Sequence, residues 1–219
     1  MCANYRPVTR MDRLLTYFGV ERAPAQAVPP EIWPLGLAPF IRLHEAGSGN
    51  RVVEDGLFGL LPPFAKELAY GRRTYNARSE TVDRLVSFKA AWSRSQRCII
   101  PAEAVFEPCH ESGRAVRWCV QQPGDVPMGI AGVYTRWRAQ DGRSLFTFAM
   151  LTVNADGHPV YGRLHAPGDE KRMVLILDPA DYEHWLRCTP AEAKALFRAW
   201  TGPLDAFPAP LPPRRSNRG

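Results

Sequence analysis

Long apolar runs are missing from this 219-residue chain. None approaches the roughly 20 residues that a bilayer-spanning helix needs, and no charged-then-apolar leader opens the sequence. The expectation is a cytoplasmic protein with no membrane partner. Cysteine is scarce, five in number with no CxxC pair, which argues against a disulfide framework and a zinc site alike. Cys98, Cys109, Cys119 and Cys188 read as small core residues. Lysine is scarcer still. Of 28 basic side chains only Lys66, Lys89, Lys171 and Lys194 are lysines, leaving 24 arginines in a chain of net charge +6. The planar guanidinium fork matches phosphate oxygens, so nucleic acid is one partner that such a composition serves. Plain solubility accounts for it equally well.

What is present is apolar residue enough, 45%, to bury one large core. No internal repeat or interdomain linker divides the chain. Thr9 as N-cap, Met11, Leu14, Leu15 and Phe18 at helical spacing and Gly19 as a stop predict a helix over residues 9–18. Residues 23–39 are Pro-rich and predicted irregular, and strands follow over 40–44 and 51–60 around a Gly-Ser-Gly-Asn turn. From Ser79, the spacing of Val82, Leu85, Val86 and Trp92 predicts a second amphipathic helix. Short β-branched or aromatic runs at 98–100, 105–106, 116–120, 130–137, 145–153 and 173–177 then predict a sheet-dominated middle. Helices over 179–187 and 190–200, each opened by a proline, close the fold. The class is α+β. A single domain over residues 1–201 has a strand-rich mixed or antiparallel sheet core, partly open and barrel-like, with flanking helices. Residues 202–219 read as a Pro/Arg-rich, poorly ordered tail.

Cys2 stands apart by position. With Met1 removed it presents an α-amine and a thiol on adjacent carbons, a reagent for aldehydes. An α-amino group titrates near about 7.7–8.0, so a useful fraction is neutral and nucleophilic at cellular pH. Amine attack gives a Schiff base, and the thiol then closes a thiazolidine ring. A frayed terminus is the plain alternative. In the polar run Thr74–Thr81, Asn76 offers hydrogen bonds beside a reacting group and Arg78 a fork for phosphate. Ordinary helix capping by Ser79, with Glu80 on the dipole, explains the same residues. Glu107 follows an apolar strand and precedes Pro108, a setting that suits proton exchange, although an arginine partner would explain it too. Glu103 is the weaker candidate, sharing a face with Glu107 only if the strand stays regular. His165 lies in a polar loop just ahead of an apolar strand, where reactive groups are commonly carried. His158 is close by and stays open, while His44, His110 and His184 read as structural.

Taken in order, Met1-Cys2, the Asn76–Thr81 run, Arg97–Ala102 leading to Phe106-Glu107, and His165 ahead of Arg172-Met173 resemble the SOS-response-associated peptidase family. The resemblance spans Cys2 to about Leu177. It implies an abasic-site sensor that binds single-stranded DNA, links its N-terminal cysteine to the ring-opened deoxyribose aldehyde through a thiazolidine, and shields the lesion. It also implies Cys2 as nucleophile, Asn76 as orienting group, and Glu107 and His165 as proton-transfer residues. Arg78 becomes a phosphate contact, with Asn4 and Glu80 as further DNA-binding positions. Met1 removal assisted by Glu107, lyase-like strand incision and slow reversal of the crosslink are implied as well. The chain departs from the family at Ala3 for glycine, Asn4 for arginine, Phe58 for tryptophan, and Pro108 where an aromatic is common. The implied chemistry needs no metal or organic cofactor, and a monomer is the simplest expectation. Two rivals share these residues: an N-terminal-nucleophile amidohydrolase, whose thiol would attack an amide, and a non-catalytic basic nucleic-acid module.

Overall fold

The computed structural model describes residues 2–20, 27–44 and 49–212. Its strands are β1 (Asn4–Pro7), β2 (Leu37–Leu43), β3 (Arg51–Phe58), β4 (Asn76–Arg78), β5 (Arg97–Cys109) and β6 (Val116–Gln121). They continue as β7 (Met128–Arg138), β8 (Ser144–Asn154), β9 (Arg172–Val174), β10 (Ile176–Leu177) and β11 (Asp205–Pro208). Four short helices flank them: α1 (Met11–Phe18), α2 (Lys89–Ser93), α3 (Tyr182–Arg187) and α4 (Pro190–Ala193).

The sheet closes on itself. β7 pairs β8, β8 pairs β3, β3 pairs β2, β2 pairs β5, and β5 returns to β7. A five-stranded barrel results, with its weakest seam at the single Ile41–Ile99 pairing of β2 and β5. Closure satisfies backbone groups that an open sheet would leave at its edges. The β3–β8 and β4–β8 pairings are parallel and the others antiparallel. Phe40, Phe58 and Phe148 meet ring to ring at 5.5–5.6 Å, and Ile41, Ile99, Ile100 and Ile130 on the strands of the barrel are likewise fully buried. Gly132 on β7 lets the walls come this close. A Cβ there would stand 2.3 Å from Ile100 Cδ1 and 2.7 Å from the Ala149 carbonyl oxygen.

The α+β class, with a partly closed barrel and flanking helices, is the one expected; several elements differ. Helix α1 is capped at Arg10 without a side-chain hydrogen bond, and a left-handed Gly19 ends it as predicted. β2 begins at Leu37, inside the segment expected to be irregular, because its residues pair along the whole of β3. Of that segment, residues 23–26 lie outside the described residues, as do Gly47 and Ser48 of the predicted turn.

The largest departure follows Ser79, where no helix starts. The Ser79 amide donates to Thr152 O at 2.9 Å, which keeps the chain extended along β8. The backbone then winds through separate turns before α2. Val82 and Trp92 are buried as the spacing predicts, whereas Leu85 and Val86 are exposed. Two short predicted strands, 98–100 and 105–106, are one strand, β5, of 13 residues. Helices α3 and α4 are shorter than predicted, since 3-10 turns over Pro179–Asp181 and Lys194–Leu196 take up part of each segment. Asp205–Pro208 falls in the segment read as a poorly ordered tail, yet it forms β11 on β6. Arg214, Arg215 and Arg218 lie outside the described residues.

Candidate active site

β1 lies antiparallel on β5, Asn4 opposite Phe106 and Tyr5 opposite Val105. This register carries the chain ahead of β1 to the far end of β5, where Glu107 sits. Cys2 is therefore not frayed: it is 1% exposed, and its thiol donates to the Asn4 carbonyl at 3.3 Å. From β4, held in parallel register on β8, Asn76 Nδ2 donates to the Cys2 carbonyl at 2.8 Å. One amide side chain thus fixes the residue whose amine and thiol would react.

Glu107 and His165 are 58 positions apart in sequence and form a pair, Nε2 to Oε2 at 3.1 Å, with both side chains buried. The loop bearing His165 is fixed against the end of β5. Cys109 bridges to Leu164 and His165, and the His165 amide donates to Pro108 O at 2.6 Å. Lys171 Nζ gathers the carbonyls of Leu164, His165 and Ala166 at 2.8, 3.4 and 3.0 Å. These contacts hold His165 at φ 65°, a left-handed conformation uncommon for a non-glycine residue and often found where function demands it.

Burial pushes the Cys2 thiol far above its ordinary range, and the neighbouring Glu107 charge adds to that. The thiol is accordingly neutral at physiological pH. A freed α-amine is then the better first nucleophile, with the thiol adding second. Burial also raises Tyr75, with Cys2 and Glu107 contributing, which places its phenol within electrostatic reach of the pair. His158, left open by sequence, is structural: Nε2 meets Trp200 O at 2.8 Å and Nδ1 accepts from the Val160 and Tyr161 amides, both at 3.1 Å.

The DNA-binding expectations fare differently from one another. Asn4 is buried, donating to Ile32 O at 3.1 Å and accepting from Arg117 Nη2 at 2.6 Å. It ties β1 to its neighbours and also borders the cleft beside Glu107, and a DNA contact by Asn4 stays an expectation of the resemblance. Glu80 turns to Arg172, which holds Glu80 and Glu170 at 2.8 Å each and Thr152 O at 2.7 Å. Arg78 is half-exposed and pairs with Glu170 at 2.7 Å. Since no helix begins at Ser79, the backbone there supplies no helix-terminal anion site; the side chains carry the polarity. Glu103 is drawn off to Arg13 at 2.8 Å, opposite the register shift between Arg6 and Pro7.

Arg172→Met is expected to lower unfolding free energy by on the order of 2 kcal/mol, because buried backbone and carboxylate acceptors lose their donor. Arg172 hydrogen bonds hold Glu170 below the ordinary carboxylate range. In Glu80 burial is the largest single influence and works the other way, but the Arg172 bond and charge together with hydrogen bonds from the Glu80 amide and Ser79 outweigh it. Groups depressed on folding stabilise above their unfolded titration range and lose that contribution as pH falls through the folded one. Denaturant melts of both proteins should therefore differ most near neutrality and converge in acid. A constant difference would place the effect in packing alone.

Beside the pair opens a mostly apolar cleft of about 340 Å³, lined by Ala3, Asn4, Trp33, Phe106, Glu107 and Arg117 among others. The Arg117 guanidinium carbon lies 3.5 Å from the Phe106 ring centroid, and Trp33 is 45% exposed at the site. Local sequence gave no signal for Trp33 or Arg117, because β1, β5 and β6 must pair before they meet.

A partly closed, strand-rich barrel that lays the cysteine at residue 2 beside an asparagine amide and a buried carboxylate–imidazole pair defines a single domain built around that cysteine. The sequence profile of the SOS response associated peptidase (SRAP) family matches residues 1–209, and the chain belongs to that family. Among its relatives is the abasic site processing protein YoqW of Bacillus subtilis, 26% identical over 198 residues that cover 85% of this chain and 80% of the relative. The abasic site processing protein HMCES of Gallus gallus is 25% identical over 166 residues, 65% of this chain and 47% of that longer protein. A crystal structure of a Bordetella bronchiseptica protein superposes with a TM-score of 0.88 at 34% identity, covering 96% of this chain and all of the other. One from Bacteroides thetaiotaomicron shares the fold at TM-score 0.79 and 21% identity, over 94% and 91% of the two chains.

Proposed function

We propose that this protein processes abasic sites in DNA, and that it does so by linking Cys2 covalently to the lesion in single-stranded DNA. The observation that carries the reading is the placement of Cys2, buried under the Asn76 amide beside the Glu107–His165 pair. After Met1 is removed, the α-amine adds to the aldehyde carbon of the ring-opened deoxyribose, and the carbonyl oxygen takes up a proton as the carbinolamine forms. Loss of that oxygen as water gives the imine. The Cys2 sulfur then bonds to the imine carbon while the thiol proton passes to nitrogen, closing a thiazolidine. Aldehyde plus aminothiol yields thiazolidine plus one water, with no redox change. Glu107 and His165 deliver and collect the protons in each step, and Asn76 holds the Cys2 backbone so that amine and thiol face one carbon. Lyase-like incision and Glu107-assisted removal of Met1 belong to the same proposal, since both use proton transfer at this pair. The protein acts as a monomer in the cytoplasm, where it meets its DNA.

A denaturing gel tests it. Met1-processed protein is incubated with a single strand bearing one abasic site and with an intact strand. A shifted band that requires the abasic site supports the covalent reading. Salt-sensitive binding to both strands with no surviving band would leave a non-covalent nucleic-acid module.

Arg78 is the phosphate contact in this reading, exchanging Glu170 for DNA. Arg78→Ala should weaken non-covalent binding to single-stranded DNA several-fold and reduce the salt slope by about 0.7, the value for one phosphate on a single strand. Anisotropy titrations over a range of salt concentrations measure this. An unchanged slope returns Arg78 to its ion pair.

A further inference from the structure

Trp33 lines the cleft beside Glu107 and keeps its indole 45% exposed there, although its backbone is fixed. Ile32, one residue earlier, exchanges amide hydrogen bonds with Tyr5 of β1 at 2.8 and 3.2 Å. The Gly36 amide donates back to Trp33 O at 2.8 Å. This closes a turn with Pro34 in its second position and Leu35 at φ 75° in its third. That is the pattern of a type II turn, whose third position glycine ordinarily fills. Leucine is strained there, and such strain persists only where the surroundings over-determine it, often at ligand sites. The indole takes no part in this scaffold. Among the described residues it makes no hydrogen bond and no ring contact. A lone exposed aromatic is ordinary on a protein surface; one set on a strained turn over a reactive cleft is not.

Arg117 belongs to the same frame. Its Nε and Nη2 donate to Asn4 Oδ1 at 3.1 and 2.6 Å, Nη2 also to Glu31 at 2.6 Å, and Nη1 to Ala209 O at 2.8 Å. Asn4 in turn donates to Ile32 O at 3.1 Å. One network therefore sets Arg117 and the segment bearing Trp33 relative to each other. The guanidinium carbon lies 3.5 Å from the Phe106 ring centroid, and Glu31 balances its charge. What Phe106 and Arg117 offer the cleft is thus a flat, rigid surface.

Resting on the crosslinking reading above, we propose that this cleft takes the nucleobase next to the abasic site, stacked on the Trp33 indole, with Phe106 and Arg117 bounding the slot. Ala3 and Asn4, the residues that follow Cys2, line it. A strand whose sugar is bonded to Cys2 therefore continues past the cleft, and its next base is the group within reach. A base is planar, uncharged and apolar on both faces, which suits a mostly apolar cleft of about 340 Å³. Every base has a π-face, so stacking holds a strand without reading its sequence, and the larger purine rings stack more strongly. The slot does discriminate in one respect. It favours a lesion flanked by an intact base over a run of consecutive baseless sugars.

The test separates binding from bond formation. Single strands carrying one tetrahydrofuran residue, an abasic analogue with no aldehyde, are titrated by anisotropy against wild type, Trp33→Ala and Trp33→Phe, with thermal melts of each protein. The strands keep both neighbouring bases, lack the 5′ one, or lack the 3′ one. For wild type, removing the base on one side should weaken binding about tenfold, within the range for one base–aromatic stack, and removing the other should change little. Trp33→Ala should bind all three strands alike, at the level of wild type on its weakest strand, and Trp33→Phe should keep most of the difference. Equal sensitivity to the neighbouring base in wild type and Trp33→Ala, or none in wild type, overturns the inference. Should Trp33→Ala melt below wild type, Trp33→Leu, which keeps apolar bulk without a π-face, takes its place with the same expected result. None of these strands can form the adduct, so the two readings fail separately. A wild type that forms no adduct on the denaturing gel, yet shows the coupling between Trp33 and the base, would remove the crosslinking reading alone; an adduct without the coupling would remove the slot alone.

Discussion

Cys2→Ala is expected to remove the denaturation-stable adduct, by at least about 100-fold, while non-covalent binding to single-stranded DNA changes less than about twofold. The variant keeps the α-amine once Met1 is gone, so the imine still forms; what it lacks is the sulfur that closes the ring. Imines hydrolyse readily, so no band should survive denaturation unless borohydride is added to reduce the C=N bond. The same substitution barely touches the fold's driving forces. Cys2 is buried, but alanine retains its Cβ, and the hydrogen bond from Asn76 goes to the backbone carbonyl. A variant that still gives a full adduct without reductant would place the bond elsewhere and sink the mechanism. A variant that gives no borohydride-trapped species, with Met1 removal confirmed by mass, would remove the amine from the first step.

Glu107→Gln should slow crosslinking about 100-fold or more, which is the range for losing a positioned general acid–base group. Glutamine matches the carboxylate in shape and can still meet His165, which now stands 3.1 Å away. It cannot accept and return a proton. Dehydration of the carbinolamine, which needs a proton on the leaving oxygen, is the step that should suffer most, so borohydride trapping of the imine ought to fall in parallel with the final adduct. The fold should tolerate the change, because glutamine keeps the side-chain volume and the partner can still be hydrogen-bonded. Unchanged rates in a well-folded variant would make Glu107 a structural partner of His165 and no more.

Much of this site was legible before any coordinates, because its residues lie in separated short runs whose order along the chain is specific. Cys2, Asn76, Glu107 and His165 could each be named, though local chemistry left a structural alternative open for every one. The fold class was legible too, from the alternation of short apolar runs with turn residues. The error at Ser79 shows the limit of periodicity. Val82, Leu85, Val86 and Trp92 carry a helical spacing, but the Ser79 amide is claimed by Thr152 on β8, and a hydrogen bond within the sheet overrides a weak local preference. The strand at Asp205–Pro208 was missed for the reciprocal reason. Pro203 just ahead of it, Pro208 inside it and its short length give no strand signal, and only the waiting edge of β6 gives it one.

The sequence by itself determined the inventory: a cysteine at residue 2, an acid and an imidazole further along the chain, arginine in excess, and enough apolar residue for one core. Those are properties of composition and position, and folding does not alter them. Tertiary structure decided which of them meet. The β1–β5 register brings Cys2 to the end of the strand that carries Glu107, and the lysine-held loop delivers His165 across 58 positions. It also decided that the Asn4 side chain is taken up by Ile32 and Arg117 in the ties around β1. Distance and burial are cooperative results of sheet pairing, set by which strands close the barrel, and no local window of sequence contains them.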